Sequence, residues 1–190
     1  MSKKKLFNRS FLINRKGEVI CKYDKIHMYD VKLSKNQSYQ ESKTYESGHT
    51  AKIAKLKING KFFKIGMTIC YDLRFPHLFR DLALHGAEII TVPSVFMHAT
   101  GKDHWHNLLK ARAIETGCYI VAPAQYGRYF NKRKSYGHSL IISPWGKVLI
   151  DAQTNKNIII SDIDKNEIKT ARSKIPSLFI NKSYKIDQKN

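Results

Sequence analysis

Apolar and polar positions follow two different periods on either side of one cysteine. Residues 62–69 place an apolar side chain at every second position, which predicts a strand with a buried face. Between Pro76 and Gly86 the apolar residues recur three and four apart, which predicts a helix that begins near the proline and stops at the glycine. Cys70 therefore lies where a strand turns into a helix.

The same patterns predict most of the remaining elements. Asn59-Gly60 joins two strand-like runs and is a strong hairpin signal. Residues 34–50 are polar and rich in turn formers, which predicts an extended loop. The other predicted elements are a hairpin of residues 10–14 and 18–22, strands at 88–92, 118–124 and 157–164, a hairpin around Pro144-Trp145-Gly146, and helices at 104–115 and 165–175.

Strands and helices alternate in the middle of the chain, and hairpins flank them. This order predicts an α/β fold built on a mixed sheet, because hairpins supply antiparallel neighbours. The chain has 190 residues, no Gly/Ser/Pro-rich linker and no internal repeat, so we expect a single domain over residues 1–190.

Composition narrows the class of protein. With 42% hydrophobic residues the chain can form a real core, and it has no apolar run long enough to cross a membrane. The three cysteines form no CxxC pair, which argues against a disulfide framework or a thiolate zinc site and fits a reducing compartment. We therefore expect a cytoplasmic protein with no membrane partner.

The formal net charge of +19 raises the question of nucleic-acid binding. The lysines are spread through nearly every segment rather than clustered in one groove, and no RRM, KH or helix-turn-helix signature occurs. We expect no specific nucleic-acid partner.

A cysteine at a β-to-α turn has two interpretations. Catalytic groups gather at this edge of an open α/β sheet, and a helix N-terminus there stabilises a thiolate. A lone cysteine that ends an apolar strand is nevertheless more often a core residue than a nucleophile. A nucleophile also needs a base, a group that orients the base and donors for the oxyanion, and the position of Cys70 alone supplies none of them.

Histidines are the obvious candidate bases, but their spacing selects none of them. Each one alone is more often a surface or structural group than a base. The candidates are His27, His77, His104, His106 and His138.

Metal and nucleotide signatures are absent from the sequence. Residues 104–106, HWH, have no carboxylate or third ligand at helical spacing, and HExxH does not occur, so we expect no metal site. GxSxG, the Walker loop and GxGxxG are also absent, which excludes serine-elbow hydrolases, P-loop proteins and dinucleotide-binding enzymes.

Five ordered segments resemble the carbon-nitrogen hydrolase (nitrilase) superfamily, in particular its Nit-type amidase branch. They follow the family's order and spacing along almost all of residues 8–185. The segments are YDKIHMYDV, ESKTYESG, GMTICYDLRFPHLFRDLALHGAEIITVPSVF, TGKDHWHNLLKARAIETGCYIVAPAQYG and SYGHSLIISPWGKVL. The HW pair followed by LLKARAIE, together with RKSYGHS, is most similar to amidases acting on deaminated glutathione, with omega-amidases as the near alternative.

The resemblance implies a cysteine nucleophile, a lysine and a glutamate. Cys70 would attack an amide carbonyl to form a thioester, and Lys25 would lower the thiol pKa and donate to the oxyanion. The backbone N–H of Tyr71 would be the second oxyanion donor. Glu41 matches an additional family glutamate that helps to orient the site.

The resemblance also implies a substrate and partners. The substrate would be a small linear amide, His104 and Trp105 would help to bind it, and no cofactor is expected. Because family members dimerise through helices near the nucleophile and the LLKARAIE segment, we expect a homo-oligomer.

In the family, a base glutamate and the first elements of a four-layer αββα sandwich precede the strand that here starts near residue 10. We therefore expect a partial αββα sandwich that lacks them. Two hypotheses stay open. Either the chain is an amidase that needs the missing segment, from a separately encoded N-terminal fragment or a longer start, or it is a degenerate or split-gene fragment that at most binds small molecules.

Among the three cysteines, the resemblance and the turn position together predict Cys70 as the reactive thiol. Cys21 falls in a hairpin strand and Cys118 begins an apolar strand, so we expect both to be unreactive.

Overall fold

The computed structural model describes residues 5–34, 37–129, 133–155 and 157–188. The strands are β1 Leu6–Phe7, β2 Arg9–Ile13, β3 Val19–Asp24, β4 Asp30–Ser34, β5 Gln37–Gln40, β6 Tyr45–Glu46, β7 Lys52–Ile58, β8 Lys61–Met67, β9 Ile89–Thr91, β10 Tyr119–Ala122, β11 Tyr126–Arg128, β12 Lys134–Tyr136, β13 Leu140–Ile142 and β14 Val148–Asp151. The helices are α1 Pro76–Leu84, α2 His98–Thr116 and α3 Lys165–Lys174, with 3₁₀ turns at Glu41–Lys43, Cys70–Arg74 and Pro176–Phe179. Among these, no helix is long and apolar enough to cross a membrane.

A six-stranded sheet in the order β14-β13-β10-β9-β8-β7 forms the centre of the protein. Strands β8, β9 and β10 run parallel, whereas β7, β13 and β14 pair antiparallel with their neighbours. The predicted α/β class with a mixed sheet is therefore confirmed. The β7–β8 hairpin turns at Asn59 and Gly60, both with positive φ (+46° and +80°), the geometry that matches the twist of paired strands.

Apolar side chains cover both faces of the central sheet. Ile90 belongs to the main core beneath α1 and α2, while its neighbour Ile89 packs with Ile168 of α3 in a second cluster. Consecutive strand residues point to opposite faces, so two buried neighbours in one strand require a layer on each side. Because apolar side chains cover both faces of the sheet, polar side chains can cluster only at the ends of its strands.

Helix α2 begins six residues before the predicted start at residue 104. Gly101 weakened the helical signal, because glycine disfavours helix interiors. In the structure this glycine lets α2 approach β12, since an added Cβ would lie 2.5 Å from Tyr136. The helix ends where predicted, at Gly117, which takes a left-handed φ of +58°.

Two sequence predictions fail for related reasons. Residues 157–164, predicted as a strand, form none, and Ile158 and Ile160 are 89% and 81% exposed. A run of β-branched isoleucines favours an extended chain, but a strand also needs a neighbouring strand to pair with. The predicted loop at 34–50 conversely includes paired strands β5 and β6, which are too short and polar to show a hydrophobic period.

Candidate active site

The turn after β8 holds Cys70 in a left-handed conformation with a φ of +48°. For a residue other than glycine this conformation costs on the order of 1–3 kcal/mol, so the surrounding structure must impose it. The Cys70 N–H donates to the Pro93 carbonyl at 3.0 Å, and the Ile69 N–H donates to the Asp72 carboxylate at 2.9 Å. Both contacts fix the turn beyond the ends of β8 and β9, where it presents the thiol.

Asp72 is fully buried and connects this turn to the chain leaving β3. Its carboxylate accepts hydrogen bonds from the Tyr23 hydroxyl at 2.7 Å and the His27 N–H at 3.1 Å, and it lies 2.7 Å from His27 Nδ1. Burial, reinforced by the charge of Asp72, raises the pKa of Tyr23, so its hydroxyl remains a donor. Tyr23 and His27 flank Lys25, and Asp72 therefore sets the position of Lys25 relative to Cys70.

Lys25 forms a buried ion pair with Glu41, and its side chain is only 3% exposed. The Glu41 carboxylate also accepts hydrogen bonds from the Tyr29 N–H at 2.7 Å and the Asn8 side-chain amide at 3.1 Å. Burial favours a higher pKa for Glu41, but the hydrogen bond and charge of Lys25 outweigh it and hold the pKa below its ordinary value. Glu41 is therefore an ionised, fully engaged carboxylate at neutral pH.

Backbone contacts hold Lys25 from both sides. Its N–H donates to the Asn8 carbonyl at 2.9 Å, and its carbonyl accepts from the Gly48 N–H at 2.8 Å. A Cβ on Gly48 would lie 2.2 Å from the Asp24 carbonyl oxygen, so only glycine permits this approach. The lysine is thus positioned by its main chain as well as by its charge.

Cys70, Lys25 and Glu41 all face one cavity of about 840 Å³. Among the described residues that line it, Glu41 is the one acidic side chain, and no histidine is present. The cationic side chains of Arg74 and Arg133 lie in the same wall, which suits an anionic ligand. Other lining residues are Asn8, Tyr29, Tyr39, Ser94, Phe96 and Met97.

Burial and the charge of Lys25 act in opposite directions on the pKa of the Cys70 thiol. Burial raises its pKa above the ordinary range, and the positive charge of Lys25 opposes this shift without overcoming it. Lys25 acts on the thiol pKa in the expected direction, but desolvation of the thiolate is the larger effect. A nucleophilic Cys70 needs a base to remove its proton.

The structure places the three remaining candidate residues differently. Tyr71 lines the cavity directly after Cys70, in the first turn of the 3₁₀ segment. His104 is exposed and its Nδ1 lies 3.2 Å from Arg74, while Trp105 is fully buried against Phe96. His104 and Trp105 are not among the described residues that line the cavity. Each of them touches a residue that does line it, Arg74 and Phe96 respectively, so the two residues support the cavity wall rather than form it.

The candidate histidine bases lie elsewhere. His27 is engaged by Asp72 and stacks on Phe75 with ring centroids 3.6 Å apart. The other four, His77, His104, His106 and His138, are likewise absent from the described lining of the cavity. The geometry therefore offers no Cys–His pair among the described residues.

The three cysteines differ in their surroundings. Cys118 is fully buried, and burial raises the pKa of its thiol, which lies 3.2 Å from the Ala87 carbonyl. Cys21 is half-buried in β3. Cys70 is the one cysteine that lines the cavity, as a reactive thiol must.

Sequence reasoning missed two residues that organise the site. Asp72 stands two positions after Cys70, and its role depends on partners up to 49 residues away. Arg112 of α2 is 5% exposed and donates from Nε and Nη2 to the Leu73 carbonyl at 3.0 and 2.9 Å, which fastens the 3₁₀ segment to the helix. For Arg112 the sequence did contain a signal, because a charged residue on the apolar face of a predicted helix needs a buried partner.

Comparison with known proteins agrees with this geometry. The sequence profile of the carbon-nitrogen hydrolase family matches residues 2–173. A relative named deaminated glutathione amidase, from Synechocystis sp., is 41% identical over 174 residues, which are 92% of this chain and 63% of that protein. The chain thus spans about three fifths of the length of this curated relative.

Solved structures show the same fold. The NitFhit protein of C. elegans superimposes with a TM-score of 0.83 and 34% identity, over 93% of this chain and 42% of that one. Saccharomyces cerevisiae Nit3, described as a member of branch 10 of the nitrilase superfamily, gives 0.77 and 32%, over 90% of this chain and 58% of that one. The expected nitrilase-like sandwich is therefore confirmed.

Proposed function

This chain belongs to the carbon-nitrogen hydrolase family, and we propose that it contributes the nucleophile for hydrolysis of a small linear amide. The observation that carries the proposal is the strained Cys70 turn, which faces a cavity together with the buried Lys25–Glu41 pair. Strained backbone and buried ion pairs inside a cleft are features of functional sites.

The reaction proceeds in two halves. A base takes the Cys70 proton, the sulfur attacks the amide carbonyl, and the resulting oxyanion is stabilised by the Lys25 ammonium and the Tyr71 N–H. The carbon–nitrogen bond then breaks, the amine leaves with a proton, and a thioester remains on Cys70. Water attacks the thioester, the carbon–sulfur bond breaks, and a carboxylic acid and the free thiol are released.

We assign Glu41 to holding Lys25 in place rather than to accepting the thiol proton. Its two oxygens are already occupied by Lys25, Tyr29 and Asn8, and its lowered pKa makes it a weak base. Full turnover then needs a base from outside the described lining residues, supplied by the protein itself or by a partner segment.

The substrate we propose is an amide that also carries a carboxylate, such as deaminated glutathione or an omega-amide. Relatives about 41% identical to this chain are named for the first of these compounds. Arg74 and Arg133 line the cavity and provide cationic groups that suit the carboxylate of such a substrate.

An amidase assay tests the proposal. We expect negligible hydrolysis of deaminated glutathione and omega-amides by the chain alone, and recovery when the N-terminal portion of a full-length relative is fused to it. Cys70→Ala in the fused protein should abolish the activity. If the chain alone hydrolyses these amides as fast as the fused protein, a group already present in this chain is the base, and the requirement for an added segment is refuted.

A second candidate is a protein that binds small acyl compounds without turning them over. The raised pKa of the Cys70 thiol and the fully engaged Glu41 carboxylate favour it. This alternative would be supported over the amidase if calorimetry shows that the chain binds a carboxylate-bearing amide and the fused protein remains inactive.

We further propose that the protein self-associates and works in a reducing compartment, the cytoplasm. The three cysteines are all unpaired. Ile114 of α2 and the neighbouring Trp145 are 57% and 58% exposed, which leaves apolar surface beside the LLKARAIE segment. A clean monomer by light scattering at micromolar concentration would contradict self-association.

A further inference from the structure

A second group of polar side chains lies outside the described lining of the cavity. His106 of α2, His138 after β12 and Asp151 of β14 converge from three separate segments. The distances from the Asp151 carboxylate are 3.1 Å to His106 Nε2 and 3.0 Å to His138 Nδ1. Each residue offers one ligand atom, and these atoms all lie within 4.8 Å of one another.

We propose that His106, His138 and Asp151 bind one divalent cation of the zinc class. The proposal is independent of the hydrolysis proposed for Cys70. It also revises the expectation that the HWH segment holds no metal, because the carboxylate and the second imidazole come from segments far along the chain rather than from helical spacing.

The spacing of the three groups suits a small cation. Bonds of about 2.0–2.2 Å in a tetrahedron place neighbouring ligand atoms roughly 3.3 Å apart. The two imidazole–carboxylate distances of 3.0 and 3.1 Å are only a few tenths of an ångström shorter. Small side-chain rotations therefore convert the present contacts into a coordination shell.

The ligand set selects among cations. Two imidazole nitrogens and one carboxylate suit Zn²⁺, Co²⁺ and Ni²⁺, whereas Mg²⁺ and Ca²⁺ prefer shells made of oxygen. The side chains of His106, His138 and Asp151 are 30%, 19% and 26% exposed. This partial exposure lets an ion enter and lets water supply the fourth ligand.

The two imidazoles are already held in place. The Tyr136 ring stacks on His138 with centroids 4.3 Å apart and meets His106 edge-on at 6.0 Å. Gly101 allows this arrangement, because a larger residue there would collide with Tyr136. An aromatic ring that packs against both imidazoles reduces the entropy lost when they bind an ion.

The backbone around the cluster is also fixed. His138 has a φ of +58°, its N–H donates to the Gln153 carbonyl, and its carbonyl accepts from Trp105 Nε1 at 2.8 Å. Asp151 in turn accepts from the Gln153 N–H at 2.7 Å. Outer contacts of this kind orient metal ligands in proteins.

A bound ion would fasten α2 to the edge strand β14. Helix α2 also carries Trp105, which packs on Phe96 of the cavity wall, and Arg112, which holds the Leu73 carbonyl. The role of the bound ion is therefore structural: it would cross-link α2 and β14 behind the cavity. We expect its main effect on thermal stability.

The test is a titration of Cys70→Ala protein with Zn²⁺ and Co²⁺, because removal of the cavity thiol prevents ion binding at that thiol from obscuring the cluster. We expect one ion per chain, visible d–d absorption with Co²⁺, and a rise in Tm of roughly 5–10 °C at a Zn²⁺ concentration about 100 times its Kd. Mg²⁺ at the same concentration should have no effect.

Variants locate the site. On the same background, His106→Gln, His138→Asn and Asp151→Asn should each weaken Zn²⁺ binding at least about tenfold, the loss typical of a first ligand or its support. Asn is chosen at position 138 because it tolerates a positive φ. His85→Gln, which removes an exposed histidine on the C-cap of α1, is the matched control and should leave binding unchanged.

A second readout covers variants that fold poorly. In the Cys70→Ala parent, Zn²⁺ should shift the imidazole NMR signals of His106 and His138 and leave those of His85 in place. The proposal is wrong if Zn²⁺ moves neither signal, or if folded variants bind it as tightly as the parent does.

Discussion

Asp72 and Asp151 make similar contacts in two regions of the molecule, but their surroundings differ. Each carboxylate lies within 3.0 Å of a histidine Nδ1 and accepts a backbone N–H, from Ile69 and Gln153 respectively. Asp72 is completely buried, whereas the Asp151 side chain is 26% exposed. The same imidazole–carboxylate contact is shielded from solvent around Asp72 and accessible to solvent around Asp151.

The difference shows how burial decides the use of a polar contact. A buried carboxylate that makes four contacts with three residues has no room for a ligand, and its loss leaves donors without an acceptor. A carboxylate at the surface can exchange a protein partner for water or a cation at little cost. We therefore assign Asp72 to architecture and Asp151 to exchangeable binding.

Replacing each aspartate by asparagine tests most directly whether the buried and the partly exposed carboxylate contribute differently to stability. We expect Asp72→Asn to lower the free energy of unfolding by about 3–5 kcal/mol, because it removes a buried charge and replaces one accepting oxygen by an NH₂ group that faces the former donors. This corresponds to a fall in Tm of roughly 6–20 °C, measured by calorimetry. Asp151→Asn should cost less than about 1 kcal/mol without metal. Equal losses in the two variants would refute the distinction.

Glu41, whose side chain is 13% exposed, provides an intermediate case. Glu41→Gln leaves Lys25 without a charged partner, and we expect kcat/KM of the fused amidase to fall on the order of 100-fold through misplacement of the lysine. The matched control is Glu46→Gln, an exposed acid in the same segment, which should retain activity. A Glu41→Gln protein with full activity would show that the ion pair is dispensable.

Acid titration extends the comparison to charge. The pKa values of Glu41 and Asp151 are lowered in the folded protein, so both stabilise it above their unfolded values near pH 4 and lose that contribution as the pH falls through the folded values. We expect Glu41→Gln to flatten the dependence of unfolding free energy on pH between about 5 and 3 more than Asp151→Asn does. Urea unfolding between these pH values measures the free energy of unfolding of each variant. A larger flattening in Asp151→Asn than in Glu41→Gln would contradict the idea that the more buried carboxylate contributes more.

The smallest effect concerns the strained turn beside Asp72. Alanine at position 70 keeps the unfavourable φ of +48°, whereas glycine adopts it freely. We expect Cys70→Gly to be more stable than Cys70→Ala by about 0.5–1 kcal/mol, measured by urea unfolding. If the alanine variant is the more stable one, Asp72 does not hold the turn in a strained state.

Local signals in the sequence predicted what local geometry determines. The Asn59-Gly60 turn and the helix stop at Gly117 depend on a few neighbouring residues, and both are confirmed. Residues 157–164 show the limit, because strand pairing depends on a distant edge. The same limit hid Asp72, whose partner Tyr23 is 49 residues away.

The candidate site divides in the same way. Position at a β-to-α turn singled out Cys70, but only resemblance to a family selected Lys25 and Glu41 among many similar residues. The convergence of His106 with Asp151 was invisible, because it joins a helix to a strand 45 residues later. Spacing rules for metal sites work within one element and not across a sheet.

Asn8 has a practical consequence for handling the protein. Its carbonyl receives the Lys25 N–H and its side-chain amide donates to Glu41, while nearby Leu6 donates its N–H to the Thr44 carbonyl. A bulky tag or reporter unrelated to the family, placed directly before Leu6, would therefore disturb the residues that position the lysine. The carboxyl end is the safer place for such a fusion, since residues 181–188 belong to no helix or strand.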